Sequence, residues 1–159
     1  VYITRSYTET TMLIKSGGTL YSYTTAHEGA VKDIHSRDES RYKGYLIRRG
    51  ILGITPLDDG TRCGATARVG NVIVAGGKSY AFIHDRSHMR EYPVRPDYAV
   101  ICRGFRGDIT RAAQIINPDS ILLSNDLNLR RHDRYVRELT EASIPHKSLR
   151  QAPYHRVIP

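Results

Sequence analysis

The sequence predicts a layered α/β fold, and three observations predict it. Strand-like and helix-like segments alternate through the second half. Two compact apolar runs, YAVICR at Tyr98–Arg103 and SILLS at Ser120–Ser124, have the composition of strands covered on both faces. A strand, a Gly-Gly turn and a second strand occur twice, as MLIKSGGTLYSYTT from Met12 and as VIVAGGKSYAFIHD from Val72. The recurrence admits either an internal duplication or chance, since Gly-Gly hairpins are common. With 159 residues, 40% hydrophobic and 25% charged, the chain can bury one substantial core and is not disordered. It contains no linker or low-complexity stretch, so residues 1–159 read as a single domain.

The elements follow in order. Val1 to Lys15 alternates and is rich in Thr, Tyr, Ile and Val, as strands are. Gly17-Gly18 turns the chain, and Thr19 to Thr25 returns as the second strand of a hairpin. From Glu28 the period becomes helical, with Val31, Ile34, Tyr42, Tyr45 and Leu46 on one face, a break near Ser36–Asp38 and a stop at Gly50. Ile51–Ile54 leads into a loop with Pro56 and the turn Asp59-Gly60. Strands are expected at Ala65–Val69, Asn71–Ala75 and Ser79–His84, the last pair joined by Gly76-Gly77. After the Tyr98–Arg103 run, Asp108 can cap a helix with Ile109, Ala112, Ala113 and Ile116 inward, ended by Pro118. Leu129 to Ala142 is a second helix, with His132, Tyr135, Val136 and Leu139 inward; Lys147–Leu149 and Tyr154–Ile158 are short terminal strands.

The charge balance narrows the partners. Lys and Arg number 24 against 16 acids, for a net charge of +8, and nearly every base after Tyr80 is Arg. Such an excess is compatible with nucleic acid or an anionic membrane surface; solubility with surface ion pairing accounts for it equally well. The helix from Leu129 carries Arg130, Arg131, Arg134 and Arg137, and Arg130, Arg134, Arg137 and Glu141 share one outer stripe. That stripe could donate to phosphates, although Glu138 and Glu141 dilute its field and a solvated face is the plainer reading. RGFRGD, Arg103 to Asp108, could hold an anion on Arg103, Arg106 and its amides, or be only a capped strand-to-helix turn. No run of about 20 apolar residues spans a bilayer, and no signal peptide is present. The start at Val1 without Met suggests a domain excised from a larger parent.

Catalytic signatures are missing. No nucleophile elbow, phosphate-binding P-loop, dinucleotide fingerprint or His-Glu-x-x-His pattern occurs. Cys63 and Cys102, the two cysteines, read as buried structural thiols. The seven histidines do not assemble a recognisable site. The best metal candidate is the weak set His84, Asp85 and His88, because adjacent residues 84 and 85 on a strand point to opposite faces unless the backbone turns there. His27 and His35 lie far away in sequence. No metal and no cofactor is therefore expected.

The succession YAFIHD, PDYAVICRGFRGD, INPDSILLSND, a basic helix, SIPHKSL and YHRV resembles the C-terminal domain of ComEC-type competence proteins, over most of Tyr80–Ile158 and more weakly before it. Those proteins are inner-membrane DNA-uptake channels of bacteria, and the resemblance implies a metallo-β-lactamase-like αββα sandwich with mixed sheets. It also implies a degenerate site. The His-x-His-x-Asp-His loop of metal-bearing members has no counterpart between Gly50 and Ala67. Their Gly-Asp matches His84-Asp85, leaving Asp85 as the ligand-type residue, and their His-His-Gly matches Cys102-Arg103-Gly104. The implied role is a non-catalytic soluble domain serving the channel portion of the same parent as a structural or single-stranded-DNA-contacting accessory. DNA would meet Arg103, Arg106, Arg130, Arg131, Arg134 and Arg137. The alternatives are a metal-dependent nuclease or phosphodiesterase with an atypical site, and a protein-interaction domain without a nucleic-acid role.

Overall fold

The computed structural model describes residues 1–3, 9–25 and 53–155, and between them residues 36, 37, 40, 43, 44, 46–48, 50 and 51. Twelve strands in two mixed sheets dominate these residues. The first sheet holds β1 (Tyr2–Ile3), β2 (Thr11–Ser16), β3 (Thr19–Thr24), β4 (Ile54–Pro56) and β12 (Tyr154–His155), in the order β12-β1-β2-β3-β4. The second holds β5 (Arg62–Cys63), β6 (Thr66–Val69), β7 (Val72–Ala75), β8 (Lys78–Ile83), β9 (Tyr98–Ile101), β10 (Ser120–Leu123) and β11 (His146–Ser148). Its order is β11-β10-β9-β8-β7-β6-β5, antiparallel from β5 to β8 and parallel from β8 to β11.

The two Gly-Gly hairpins fall one in each sheet. Ser16 faces Thr19 across Gly17-Gly18, and Ala75 faces Lys78 across Gly76-Gly77. Gly76 and Gly77 both have positive φ, 61° and 68°, as the tight turn matching strand twist requires. Parallel strands cannot be joined by such turns and need crossovers, which α1 (Ile109–Ile116) and α2 (Leu129–Glu141) provide between β9, β10 and β11.

Period-two alternation divides the core. Tyr80 and Phe82 of β8, Val100 of β9 and Leu122 of β10 face the first sheet, where they meet Ile3, Met12, Ile14 and Tyr23. Tyr23 packs edge-on against Phe82, with centroids 4.7 Å apart, so the sheets are joined by aromatic contact. The intervening residues Ala81, Ile83, Ala99, Ile101, Ile121 and Leu123 pack on the opposite side with Ile109, Ala112 and Ile116 of α1 and Tyr135 and Leu139 of α2. Burial on both faces is why these strands are unbroken apolar runs. On the outer side of the first sheet, Leu13, Leu20 and Ile54 pack with Leu46 and Ile51. The described positions among 36–48 are helical, including 36 and 37 at the expected break. Gly50 ends this segment: its φ is 63°, its amide donates to the Ile47 carbonyl and the Ile51 amide to that of Leu46. Val31, Ile34, Tyr42 and Tyr45, with His27, His35 and residues 156–158, lie outside the described residues.

Helix ends follow local chemistry. Asp108 accepts from the Arg111 amide at 2.9 Å, and Asn128 accepts from the Arg130 amide at 3.1 Å. Asn128→Ala removes that acceptor and is expected to destabilise the domain by about 1 kcal/mol. A urea-unfolding midpoint equal to that of the unaltered protein would contradict this.

Three sequence expectations are corrected. The third strand of the second half ends at Ile83 rather than His84, and the next at Ile101 rather than Arg103. Short strands at β4 and β5 replace an expected loop, since two or three residues carry no readable period. Cys63 is half-buried on β5 and accepts a hydrogen bond from the Tyr21 hydroxyl, whereas Cys102 is fully buried as expected. No helix among the described residues is long and apolar enough to cross a membrane.

Candidate functional site

The carboxyl ends of β8, β9 and β10 lie in register, since Ile83 pairs with Ile101 and Ile101 with Leu123. The next residues, His84, Cys102 and Ser124, therefore form one row beyond the sheet, the edge at which parallel sheets present ligand-binding groups. Gly104 lets the chain pack tightly there. An added Cβ would stand 2.0 Å from the His84 carbonyl oxygen, so backbone meets backbone at this point.

Because β8 stops at Ile83, the objection that residues 84 and 85 face opposite ways no longer applies. Asp85 caps a single 3-10 turn, Arg86–His88. Its Oδ1 accepts from the Ser87 amide at 2.6 Å and from the Ser87 hydroxyl, while Oδ2 lies 3.7 Å from His88 Nδ1. The rings of His84 and His88 meet at 4.2 Å between centroids. One donor atom from each of His84, Asp85 and His88 lies within 4.8 Å of the others. The Nδ1 atoms of both histidines are buried and have no hydrogen-bond partner among the described residues. Burial lowers the pKa of His84, helped by neighbouring His88 and opposed by Asp85; burial likewise lowers that of His88 against the pull of Asp85. The Ser87 hydroxyl, more than any other group, holds Asp85 below the usual carboxylate range.

A cleft of about 370 Å³ opens beside these side chains, lined also by Tyr23, Arg68, Asn71 and Arg90. Arg68 is held by the carbonyls of Gly70 and Leu57, at 3.0 and 2.7 Å, with its guanidinium 4.6 Å from the Tyr23 ring centroid. Asn71 donates to Tyr92 Oη at 2.7 Å, and the Tyr92 hydroxyl donates to the His88 carbonyl at 3.0 Å. The segment carrying His88 is thereby fastened to the sheet.

A second polar group on this edge escaped the sequence reading. Asp126, buried at the end of β10, accepts from the Thr10 hydroxyl at 3.0 Å, the Arg103 amide at 3.1 Å and the Ser124 hydroxyl. Burial pushes its carboxyl above the usual range despite these donors. Within the RGFRGD turn the Arg103 amide is taken by the protein's own Asp126 carboxyl. Asp108 meanwhile serves as the helix cap. The one sequence signal for Asp126 was a Ser-Asn-Asp run directly after an apolar strand.

The metal-ligand motifs that the resemblance implies are not matched by these residues. Cys102, which the resemblance matches to an imidazole, is enclosed with its thiol 3.5 Å from the Val100 carbonyl, and burial together with nearby Asp126 keeps the thiol protonated. Arg103 has its amide engaged by Asp126 and its carbonyl by Arg131 Nη1 at 2.9 Å.

Of the six arginines singled out, Arg103, Arg106, Arg130, Arg134 and Arg137 are exposed and Arg131 is half-buried. Arg131 and Arg103 are brought together by their hydrogen bond. Arg134 leans over the Tyr135 ring at 5.1 Å and lies 3.5 Å from Glu138. Tyr135 itself is buried, with its hydroxyl donating to the Gly107 carbonyl at 2.9 Å, so it offers no stacking surface. A family model described as the ComEC C-terminal domain matches residues 1–158. No curated protein matches the chain significantly.

Proposed function

The chain belongs to the ComEC C-terminal domain family, and from that premise we propose that it is a non-catalytic accessory of a competence DNA-uptake protein. In this reading it is a degenerate, metallo-β-lactamase-like αββα domain. Two facing sheets with helices on their outer sides support that arrangement. The observation that carries the loss of chemistry is the enclosed Cys102 thiol beside Asp126 in place of an open imidazole site. The domain would serve the membrane channel portion of its parent in a bacterial inner membrane.

DNA contact would use the exposed Arg130, Arg134 and Arg137 stripe together with Arg103, Arg106 and Arg131. Single-stranded DNA is expected to bind with an affinity that falls as salt rises. The log–log slope should be about −2 to −4, corresponding to roughly three to six phosphates. Alanine at these arginines should flatten that slope. Absence of binding at low ionic strength, or binding indifferent to the substitutions, would remove the DNA role. Equal affinity for any polyanion would favour the protein-interaction reading.

A second reading, a metal-dependent nuclease or phosphodiesterase, draws on the convergence of His84, Asp85 and His88. Hydrolysis of a phosphodiester that disappears on replacing both histidines with alanine would establish it over the first.

A further inference from the structure

We propose that His84, Asp85 and His88 form a mononuclear site for a zinc-like divalent cation, built on the turn after β8. Of its three ligands the resemblance matches Asp85 alone to a ligand of metal-bearing members; His84 and His88 are matched to none.

The division of labour within Asp85 is the first support. Oδ1 caps the 3-10 turn and leaves Oδ2 directed at His88 Nδ1, 3.7 Å away. That is too long for a hydrogen bond. It is close to the separation of about 3.3 Å that tetrahedral zinc imposes on ligands bonded at about 2.0–2.1 Å. One donor atom from each of the three side chains lies within 4.8 Å of the others. The second support is the pair of buried Nδ1 atoms without partners among the described residues. Buried polar atoms ordinarily have partners, and two imidazoles with a neighbouring carboxylate are the donors a borderline metal takes. Calcium and magnesium prefer all-oxygen shells, so the donor set selects against them.

The surroundings are already ordered. Gly104 packs against the His84 carbonyl, and the Asn71–Tyr92 pair holds the main chain of His88. Three protein ligands would leave a fourth position to a small ligand. His84 and His88 line the cleft together with Arg68 and Arg90, whose positive charge would favour an anion or hydroxide over neutral water there.

The test is calorimetric titration of the metal-free protein with Zn2+, paired with Co2+ absorption spectra. We expect one ion per chain and the visible bands of four-coordinate Co2+. His84→Ala/His88→Ala should weaken binding by about 100-fold or more, at least the loss seen on removing a supporting contact at a metal site. Asp85→Asn retains a capping oxygen while losing the charged ligand. It should keep the native circular dichroism and still bind zinc more weakly, which separates ligation from folding. His146→Ala, away from the triad, should bind as the unaltered protein does. Zinc binding no tighter than millimolar, or equal binding by unaltered and doubly substituted protein, would overturn the proposal. The proposal is independent of the DNA-contact reading, whose salt-dependence test uses other residues.

Discussion

Gly104→Ala is expected to destabilise the domain by about 3 kcal/mol or more, at the upper end of what overpacking costs. The added methyl would lie 2.0 Å from the His84 carbonyl oxygen and 3.1 Å from its carbon. Neither atom belongs to a side chain that can swing away. Relief requires parting the end of β8 from the turn after β9. That movement strains the 2.9 Å bond from the Cys102 amide to the Ile83 carbonyl and the Arg103 amide bond to Asp126. Gly44 offers the contrast: it is helical and exposed, with nothing among the described residues within 4 Å of an added Cβ. Gly44→Ala is expected to stabilise by about 0.4–1 kcal/mol. Urea-unfolding midpoints of the two variants check both signs, and a Gly104→Ala midpoint matching the unaltered protein would refute the close packing.

Asp126→Ala is expected to cost about 3 kcal/mol, because it strands the Thr10 and Ser124 hydroxyls and the Arg103 amide in a buried site. Asp126→Asn should behave differently. Its oxygen can replace Oδ1, the acceptor for Arg103 and Ser124, and its amide can donate to a rotated Thr10 hydroxyl. The pH dependence follows from the raised carboxyl, whose cause is burial. A folded-state pKa above the unfolded value means that the native protein binds the proton more tightly. Stability from this group is therefore complete below the unfolded value of about 4 and is lost as pH rises through the folded value. Asp126→Asn, which has no charge to bury, should gain on the unaltered protein across that window and hold its advantage at neutral pH. A stability difference between the two proteins that does not change with pH would contradict the raised carboxyl.

Much of this architecture was legible before any coordinates. Gly17-Gly18 and Gly76-Gly77 marked their hairpins, because few residues other than glycine accept the positive φ found at Gly17, Gly76 and Gly77. Asp108 marked the start of α1. Leu129 to Ala142 revealed its inward face: His132, Tyr135 and Leu139 are buried as its period requires, and Val136 is half-buried. The residues at the carboxyl edge were harder to read. Asp126 takes a donor from Thr10, 116 positions away, and no local pattern announces a partner at that distance. His84 and Asp85 seemed to diverge only because the strand was carried one residue too far.

The sequence by itself determined the family, the alternation of strand and helix, the turns, the caps and the excess of arginine. These are properties of short windows and of ordered motifs along the chain. The tertiary structure alone decided that His84, Asp85 and His88 converge, that Cys102 is sealed beside a buried carboxylate, and that the Arg103 amide is spent on Asp126. Each of those facts depends on where a strand stops and which strands lie beside it. Strand pairing is set by the burial of whole faces, and a shift of one residue reverses the side to which every later side chain points.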